Sequence, residues 1–253
     1  VIGGGTDLQV GMRQGIYDPD VLVDIADLQE LRGIRIDDDH ITIGAAVTIS
    51  EIIEREDLRA LHPMLCDGLA RIATRQVRNV ATIAGDLSQE KRCWFFRSGA
   101  QCYKAGGASC PCYAVLGDSR HHSILGAGRC AAPCVADAAP ILTVLGATVV
   151  IAGISGQRRV ALEDFYIWSG ETVVKPTEII HSIEIPRARS DQKQSFEKSA
   201  GWDGDFADAS VAVNLTWHSG SLSSARISLG AISPLPVRAA QTEKALLRGK
   251  LSD

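Results

Sequence analysis

The chain has 253 residues, 45% of them hydrophobic and 22% charged, with a formal net charge of −4. That balance suits an ordinary globular protein of one large domain or two moderate ones, and no basic run favours a nucleic-acid or membrane surface. The longest apolar stretch, 141–154, is interrupted by Gly146 and Gly153 and is too short to cross a bilayer.

In chain order, Val1-Ile2 reads as the exit of a strand, Gly3-Gly4-Gly5 as a turn and the residues after Leu8 as a helix. Residues 22–25 and 41–43 read as strands. Thr48 or Ser50 is placed to cap a helix over 51–59, and helical spacing continues over 65–72. From 88 to 129 the periodicity dissolves into glycine, cysteine and polar residues, and an irregular stretch of that length inside a compact domain points to function. A helix follows at 137–145, then strands at 148–152, 159–162 and 178–185, the last closed by Pro186. A domain boundary is expected between 163 and 176. Strands at 195–198, 209–217 and 225–230 come next, the latter two joined at Ser219-Gly220, and a helix at 238–247. With no initiator Met, no signal-like start and Lys250-Leu251-Ser252-Asp253 at its close, the chain is expected to be the middle of a longer subunit.

Two features carry chemistry. The glycine turn lets backbone approach a ligand closely, and successive free N–H groups at a helix start suit a diphosphate. It is neither a Walker loop nor a GxGxxG fingerprint, and alone it reads equally well as a structural turn. The second feature is the cysteines. Of seven, six fall between Cys93 and Cys134, a crowding that means disulfides in an oxidising compartment and metal in a reducing one. No pair of C-x2-C elements marks a zinc ribbon. Soft thiolates at irregular spacing suit an iron-sulfur cluster better.

The segment Arg78-Asn79-Val80-Ala81-Thr82-Ile83-Ala84-Gly85-Asp86 resembles the second flavin motif of the flavoprotein subunits of molybdenum hydroxylases, roughly R-N-x-A-T-hydrophobic-G-G-N. The upstream Gly4-Gly5-Thr6-Asp7 resembles the first motif, A-G-G-T-D/H. Asp137 before Pro140, the strand 178–186, Lys198 and residues 229–238 match in order, so the resemblance covers essentially the whole chain.

The fold it implies is α+β. A two-subdomain α/β FAD-binding domain of the PCMH type spans 1–165, with an inserted iron-sulfur loop at 88–130. A smaller, partial α+β domain with an antiparallel sheet, of the CO dehydrogenase flavoprotein C-terminal type, spans 172–253. FAD is then expected against Val1, Ile2, Gly3, Gly4, Gly5, Thr6, Asp7 and Leu8, and against Thr82, Ile83, Ala84, Gly85 and Asp86. Ile72, Asp137, Ile180 and Lys198 fall where relatives touch the cofactor. Ala84 and Asp86 depart from the usual Gly-Gly-Asn by a methyl and a possible negative charge.

Within the family the cysteine loop resembles that of 4-hydroxybenzoyl-CoA reductases and, more closely, certain bacterial aldehyde oxidoreductases, in which it holds a 4Fe-4S cluster. Cys93, Cys102, Cys110 and Cys130 are the expected ligands, with Cys112 and Cys134 as alternates. The resemblance implies partnership with a large molybdenum-cofactor subunit and a small 2Fe-2S subunit. Electrons then run from molybdenum through iron-sulfur centres to FAD and an external acceptor, in the cytoplasm or in the periplasm as part of a co-exported complex.

A reductive aromatic acyl-CoA dehydroxylating enzyme would run the flow backwards. A stand-alone flavin oxidoreductase and a metal-binding scaffold are the remaining readings. No catalytic side chain is expected. His121 and His122 could be ligands or pH-sensitive contacts but read more simply as hydrogen-bonded or solvated loop residues, Cys66 reads as core and 202–205 as a turn.

Overall fold

The computed structural model describes residues 1–249. Ile2 pairs with Asp24 through a single parallel bridge, and helix α1 (Leu8–Arg13) follows the glycine turn. Strands β1 (Ile34–Ile36) and β2 (His40–Gly44) form a hairpin. Five short helices come next: α2 (Ile49–Ile53), α3 (Glu56–Leu61), α4 (Pro63–Ala70), α5 (Arg75–Arg78) and α6 (Ile83–Leu87). The expected helix start is a full capping box. Thr48 Oγ1 accepts from the Glu51 N–H, and the Glu51 carboxylate accepts from the Thr48 N–H.

The cysteine insertion is not wholly irregular. It contains three one-turn helices, α7 (Trp94–Arg97), α8 (Tyr103–Gly106) and α9 (Tyr113–Leu116). Helix α10 (Ala138–Leu145) restores regular structure and buries every one of its residues. The hairpin β3 (Thr148–Gly153) and β4 (Gly156–Ala161) follows, then the small pair β5 (Tyr166–Trp168) and β6 (Glu171–Thr172), and then β7 (Glu178–Pro186).

The first sheet is antiparallel, in the order β1-β2-β7-β3-β4. This corrects the expected boundary at 165–172. Strand β7 is the middle strand of the first sheet, with Ile183 opposite both Ile43 and Val149 and all three fully buried. Its apolar alternation can be buried only there, so the chain leaves this sheet after Pro186. Strands β8 (Gln192–Ala200), β9 (Ala207–His218), β10 (Ser221–Gly230) and β11 (Val237–Arg238) form the second antiparallel sheet, and α11 (Ala240–Arg248) packs on β10. The β9–β10 turn sits where expected, with Ser219 and Gly220 both at positive φ.

The two sheets share one core. Helix α10 contacts β9 and β10 of the second sheet as well as α4 and β7 of the first unit. Phe196 and Ala212 of the second sheet belong to the same apolar cluster as Leu69, Ile141 and Ile183. Among the described residues no helix is long and apolar enough to cross a membrane.

Candidate functional site

A cleft of about 520 Å³ runs between the glycine turn, the α4–α6 segment and the loop before β9. All of residues 1–8 line it, together with Ile72, Thr82, Gly85, Asp86 and Asp137. Among the described residues, the backbone N–H groups of Gly3, Gly4, Gly5 and Thr6 have no protein acceptor. A row of free donors on a turn entering α1 is the arrangement an anionic diphosphate needs. Gly5 takes φ 70°, which the turn requires. Thr82 caps α6, its Oγ1 accepting from the Gly85 N–H at 3.1 Å, and so presents that short helix to the cleft.

Several expected contacts take other positions. Ile83 is fully buried in the core because it faces inward from the first turn of α6, and Ala84, the next residue, does not line the cleft either. Ile180 lies on β7 opposite Ile151, inside the sheet. Lys198 stays behind the wall: its Nζ donates to Asp137 Oδ2 at 2.7 Å and to the Arg71 carbonyl at 3.0 Å. Asp7 lines the cleft, but its carboxylate is committed to protein. It pairs with Arg92 at 2.9 Å and Arg97 at 3.0 Å, and it accepts from the Glu90 N–H at 2.7 Å. The glycine turn is thereby tied to the start of the cysteine insertion.

Arg78 is likewise structural. Its Nη1 donates to the carbonyls of Ile72 and Ala73, each at 2.7 Å, holding Ala73 at φ 44° on the cleft wall. At the base of the cleft, Asp86 is 5% exposed and accepts from the Ala138 N–H at 3.0 Å and Gln89 Nε2 at 2.8 Å. Burial, and then the nearby Asp137, raise its carboxyl to about 7. Burial also raises Asp137, against the pull of Lys198.

Sequence reasoning missed one wall entirely. Trp202, Gly204 and Asp205, read as part of a plain turn, and the following Phe206 line the cleft from the second domain. Phe206 stacks under the Arg92 guanidinium at 4.7 Å. Two exposed aromatic rings just before a strand were the available signal. Tyr17 and Glu90 also line the cleft and are joined by a Tyr17 hydroxyl donation at 2.9 Å.

A second, small cavity lies inside the insertion, lined by Cys93, Cys102, Cys112 and Cys130 together with Lys91, Arg129 and aromatic rings. Three of these cysteines stand at the N-caps of α7, α8 and α9, which turns each Cβ toward the same space. Cys110, an expected ligand, is outside: its Sγ packs on Gly106, and Cys112, two residues on, takes the inward position. Cys134 is also outside, near Asp86 and Tyr166, where burial pushes its thiol up to about 12. His122, expected to be a hydrogen-bonded or solvated loop residue, is buried with Nε2 3.2 Å from Cys93 Sγ. Among the described residues no three His, Cys, Asp or Glu side chains converge on one ion position. Convergence on a point belongs to a mononuclear site; the thiolates of a cube-shaped cluster each bind a different iron.

Residues 1–188 match the FAD-binding domain in molybdopterin dehydrogenase, and residues 194–253 match the CO dehydrogenase flavoprotein C-terminal domain. The chain belongs to this family of FAD-binding medium subunits. The first match ends just after β7 and the second begins near the start of β8, so the gap between them falls where the chain passes from one sheet to the other.

Among its relatives, the glyceraldehyde dehydrogenase medium chain of Sulfolobus acidocaldarius is 25% identical over 100% of this chain and 74% of its own length. The carbon monoxide dehydrogenase medium chain of Afipia carboxidovorans is 27% identical over 97% and 71%. The FAD-binding subunit of an Escherichia coli aldehyde oxidoreductase is 32% identical over 73% and 60%. Of solved structures, carbon monoxide dehydrogenase from Hydrogenophaga pseudoflava superposes with a TM-score of 0.79, at 25% identity over 100% of this chain and 73% of that one. Quinoline 2-oxidoreductase from Pseudomonas putida 86 gives 0.75, at 25% identity and the same coverage. These family members share the α+β, two-domain architecture described above.

Proposed function

We propose that this chain is the flavin- and cluster-bearing relay subunit of a multi-subunit molybdenum-containing dehydrogenase. A large molybdenum-cofactor subunit binds the aldehyde, aromatic or N-heterocyclic substrate, and a small 2Fe-2S subunit lies between the two. The observation that carries the reading is the pairing of a donor-lined cleft with a separate pocket of four thiols on either side of residues 90–92. The cleft fits FAD. The unpaired N–H groups of Gly3–Thr6 suit the diphosphate, while Ile49, Ile72, Val77 and Ala81 offer an apolar wall to a ring system.

Bound FAD supplies the junction between two-electron and one-electron chemistry. The chain's own residues position it. The Asp7 clamp fixes the glycine turn, Arg78 fixes the Ala73 wall, and the Trp202–Phe206 loop screens the cleft from the second domain. No side chain in the cleft is called on as a nucleophile or general base, so substrate chemistry belongs elsewhere in the complex.

The cysteine pocket fits a four-thiolate 4Fe-4S cluster in its donor set. Four thiols face one space, and Lys91, Lys104 and Arg129 supply positive charge to a net-negative centre. The ligand set proposed is Cys93, Cys102, Cys112 and Cys130. Anaerobically purified protein should carry about four irons and four sulfides per chain, with one FAD that acid precipitation releases. Cys112→Ser should lose the iron and keep the flavin, whereas Cys110→Ser and Cys134→Ser should keep both. Iron lost from Cys110→Ser but retained in Cys112→Ser would reverse the assignment. Iron-free wild-type protein with full flavin would remove the cluster from the reading and leave the flavoprotein.

A further inference from the structure

Between the cleft and the thiol pocket lies a buried ion pair. Lys91 is 1% exposed, the most enclosed charged side chain among the described residues, and its Nζ pairs with Glu90 Oε1 at 2.5 Å. The two residues face different cavities: Glu90 lines the cleft and Lys91 lines the thiol pocket. Tyr17, also on the cleft, donates to the other Glu90 oxygen at 2.9 Å. On the pocket side the Lys91 ammonium lies 5.1 Å from the centre of the Phe96 ring. Gly170, at φ 64°, closes over the pair so tightly that a Cβ there would lie 2.8 Å from Lys91 Nζ and overlap Glu90 Oε1. Arg97 Nε fixes the Lys91 carbonyl at 3.0 Å, and Arg97 is itself held by Asp7.

A cation in so enclosed a place is costly unless something beyond one carboxylate uses its field. A cluster held by four thiolates is net negative, and reduction adds one more negative charge to the pocket. A fixed cation on the wall favours the reduced form and raises the midpoint potential, with little solvent to screen it. Glu90 opposes that effect by neutralising Lys91 from the cleft side. Resting on the four-thiolate reading above, we propose that Lys91 is a positioning residue that sets the reduction potential of the centre in the thiol pocket. Glu90 trims its field and, because it borders the cleft, makes that potential responsive to what occupies the cleft.

The sign of each substitution follows. Lys91→Met keeps the length and apolar stem but removes the positive charge, takes from Glu90 its direct partner and lowers the potential. Glu90→Gln frees the Lys91 field and raises it. The double variant, neutral at both positions, falls between the two single variants. Lys91→Arg keeps the charge and stays near wild type.

The test is an EPR-monitored redox titration of each flavin- and iron-loaded protein, with iron and flavin content measured in parallel. The expected result is a change of tenfold or more in the oxidised-to-reduced ratio at fixed potential, about 59 mV for one electron, downward for Lys91→Met and upward for Glu90→Gln. A merely structural lysine would change iron content or stability without opposite shifts. Midpoints unchanged in both single variants, or moving in the same direction, overturn the proposal. If Lys91→Met does not load iron, Glu90→Gln decides alone: an upward shift supports the proposal and an unchanged midpoint overturns it. Wild-type protein without iron would instead refute the cluster reading, and this inference with it.

Discussion

A methyl group at Gly4 would sit 2.5 Å from the carbonyl carbon of Val80, overlapping its oxygen, and 3.0 Å from the Ala81 nitrogen. These are backbone atoms, so no rotamer change relieves the contact. From sequence, Gly4 looks like a residue kept small for a phosphate. The structure adds a second reason, the packing of the first flavin motif directly on the second. Gly4→Ala should therefore destabilise the protein even without flavin, by about 2–3 kcal/mol in line with overpacked sites, as read from a denaturant midpoint of the apoprotein. Apoprotein stability equal to wild type would show that the turn can move off Val80.

Asp86 makes a different prediction at the same scale. Its carboxyl is raised from 3.8 to about 7, chiefly by burial. The folded state therefore holds this proton more tightly than the unfolded chain does. The stability it contributes is present in full below pH 4 and is lost as pH rises through 7. Asp86→Asn, which restores the residue of the family pattern, keeps an acceptor for the Ala138 N–H and removes the ionisation. Wild type should lose stability relative to Asp86→Asn between pH 4 and 7, on the order of a few kcal/mol. Parallel pH profiles for the two proteins in urea unfolding would contradict this.

At the scale of elements, sequence showed most where local rules suffice. The Thr48–Glu51 capping box, the Ser219-Gly220 hairpin and the alternation of Ile41 and Ile43 each depend on neighbours within a few positions. Strand β7 was legible as a strand but was given to the wrong sheet, since its partners on β2 and β3 lie at least 25 residues away in sequence, the nearest pair being Gly153 and Glu178. The insertion failed for another reason. Helices of four residues show no periodicity, so nothing local distinguishes Cys112, which caps α9, from Cys110, which packs under Gly106.

The α4–α6 segment also reads differently once folded. Arg78, prominent in the flavin motif, does not itself line the cleft and instead fixes, from behind, the carbonyls of two wall residues before α5. Arg78→Ala should cost about 1.5–3 kcal/mol, the scale for hydrogen bonds from a charged group. It should also weaken flavin retention by releasing Ala73, and Arg78→Lys should restore only part of either loss. Flavin affinity unchanged in a destabilised Arg78→Ala protein would separate the wall from the cleft.

The whole molecule behaves as one unit because α10 is buried between two sheets and the cleft is walled from both domains. Asn214 Nδ2 on β9 donates to the Val144 carbonyl at 3.3 Å, and Arg226 on β10 to that of Thr143 at 2.8 Å. Arg238 reaches back to Glu163 at 2.6 Å. The second domain thus satisfies the C-terminal carbonyls of α10 as well as covering its apolar side.

The loop bearing Trp202 and Phe206 sits on this rigid frame, and its contact with the first domain is specific. Gly204 takes φ 90°, and a Cβ there would lie 2.7 Å from the Ala73 carbonyl oxygen. Gly204→Ala is disfavoured twice, by the left-handed backbone and by the clash with a carbonyl that Arg78 already holds. The substitution should lift the loop from Ala73 and open the cleft on its second-domain side, leaving the core of both sheets intact. Flavin dissociation should accelerate roughly tenfold, about 1.4 kcal/mol of lost binding, while the unfolding free energy of the apoprotein falls by about 1–3 kcal/mol, as for a strained backbone position. Iron content should not change, because the thiol pocket shares no wall with this loop. Dilution of reconstituted protein, followed by recovery of flavin fluorescence, reads the dissociation directly. A wild-type rate in Gly204→Ala would mean that the aromatic loop shapes the mouth of the cleft without holding its occupant.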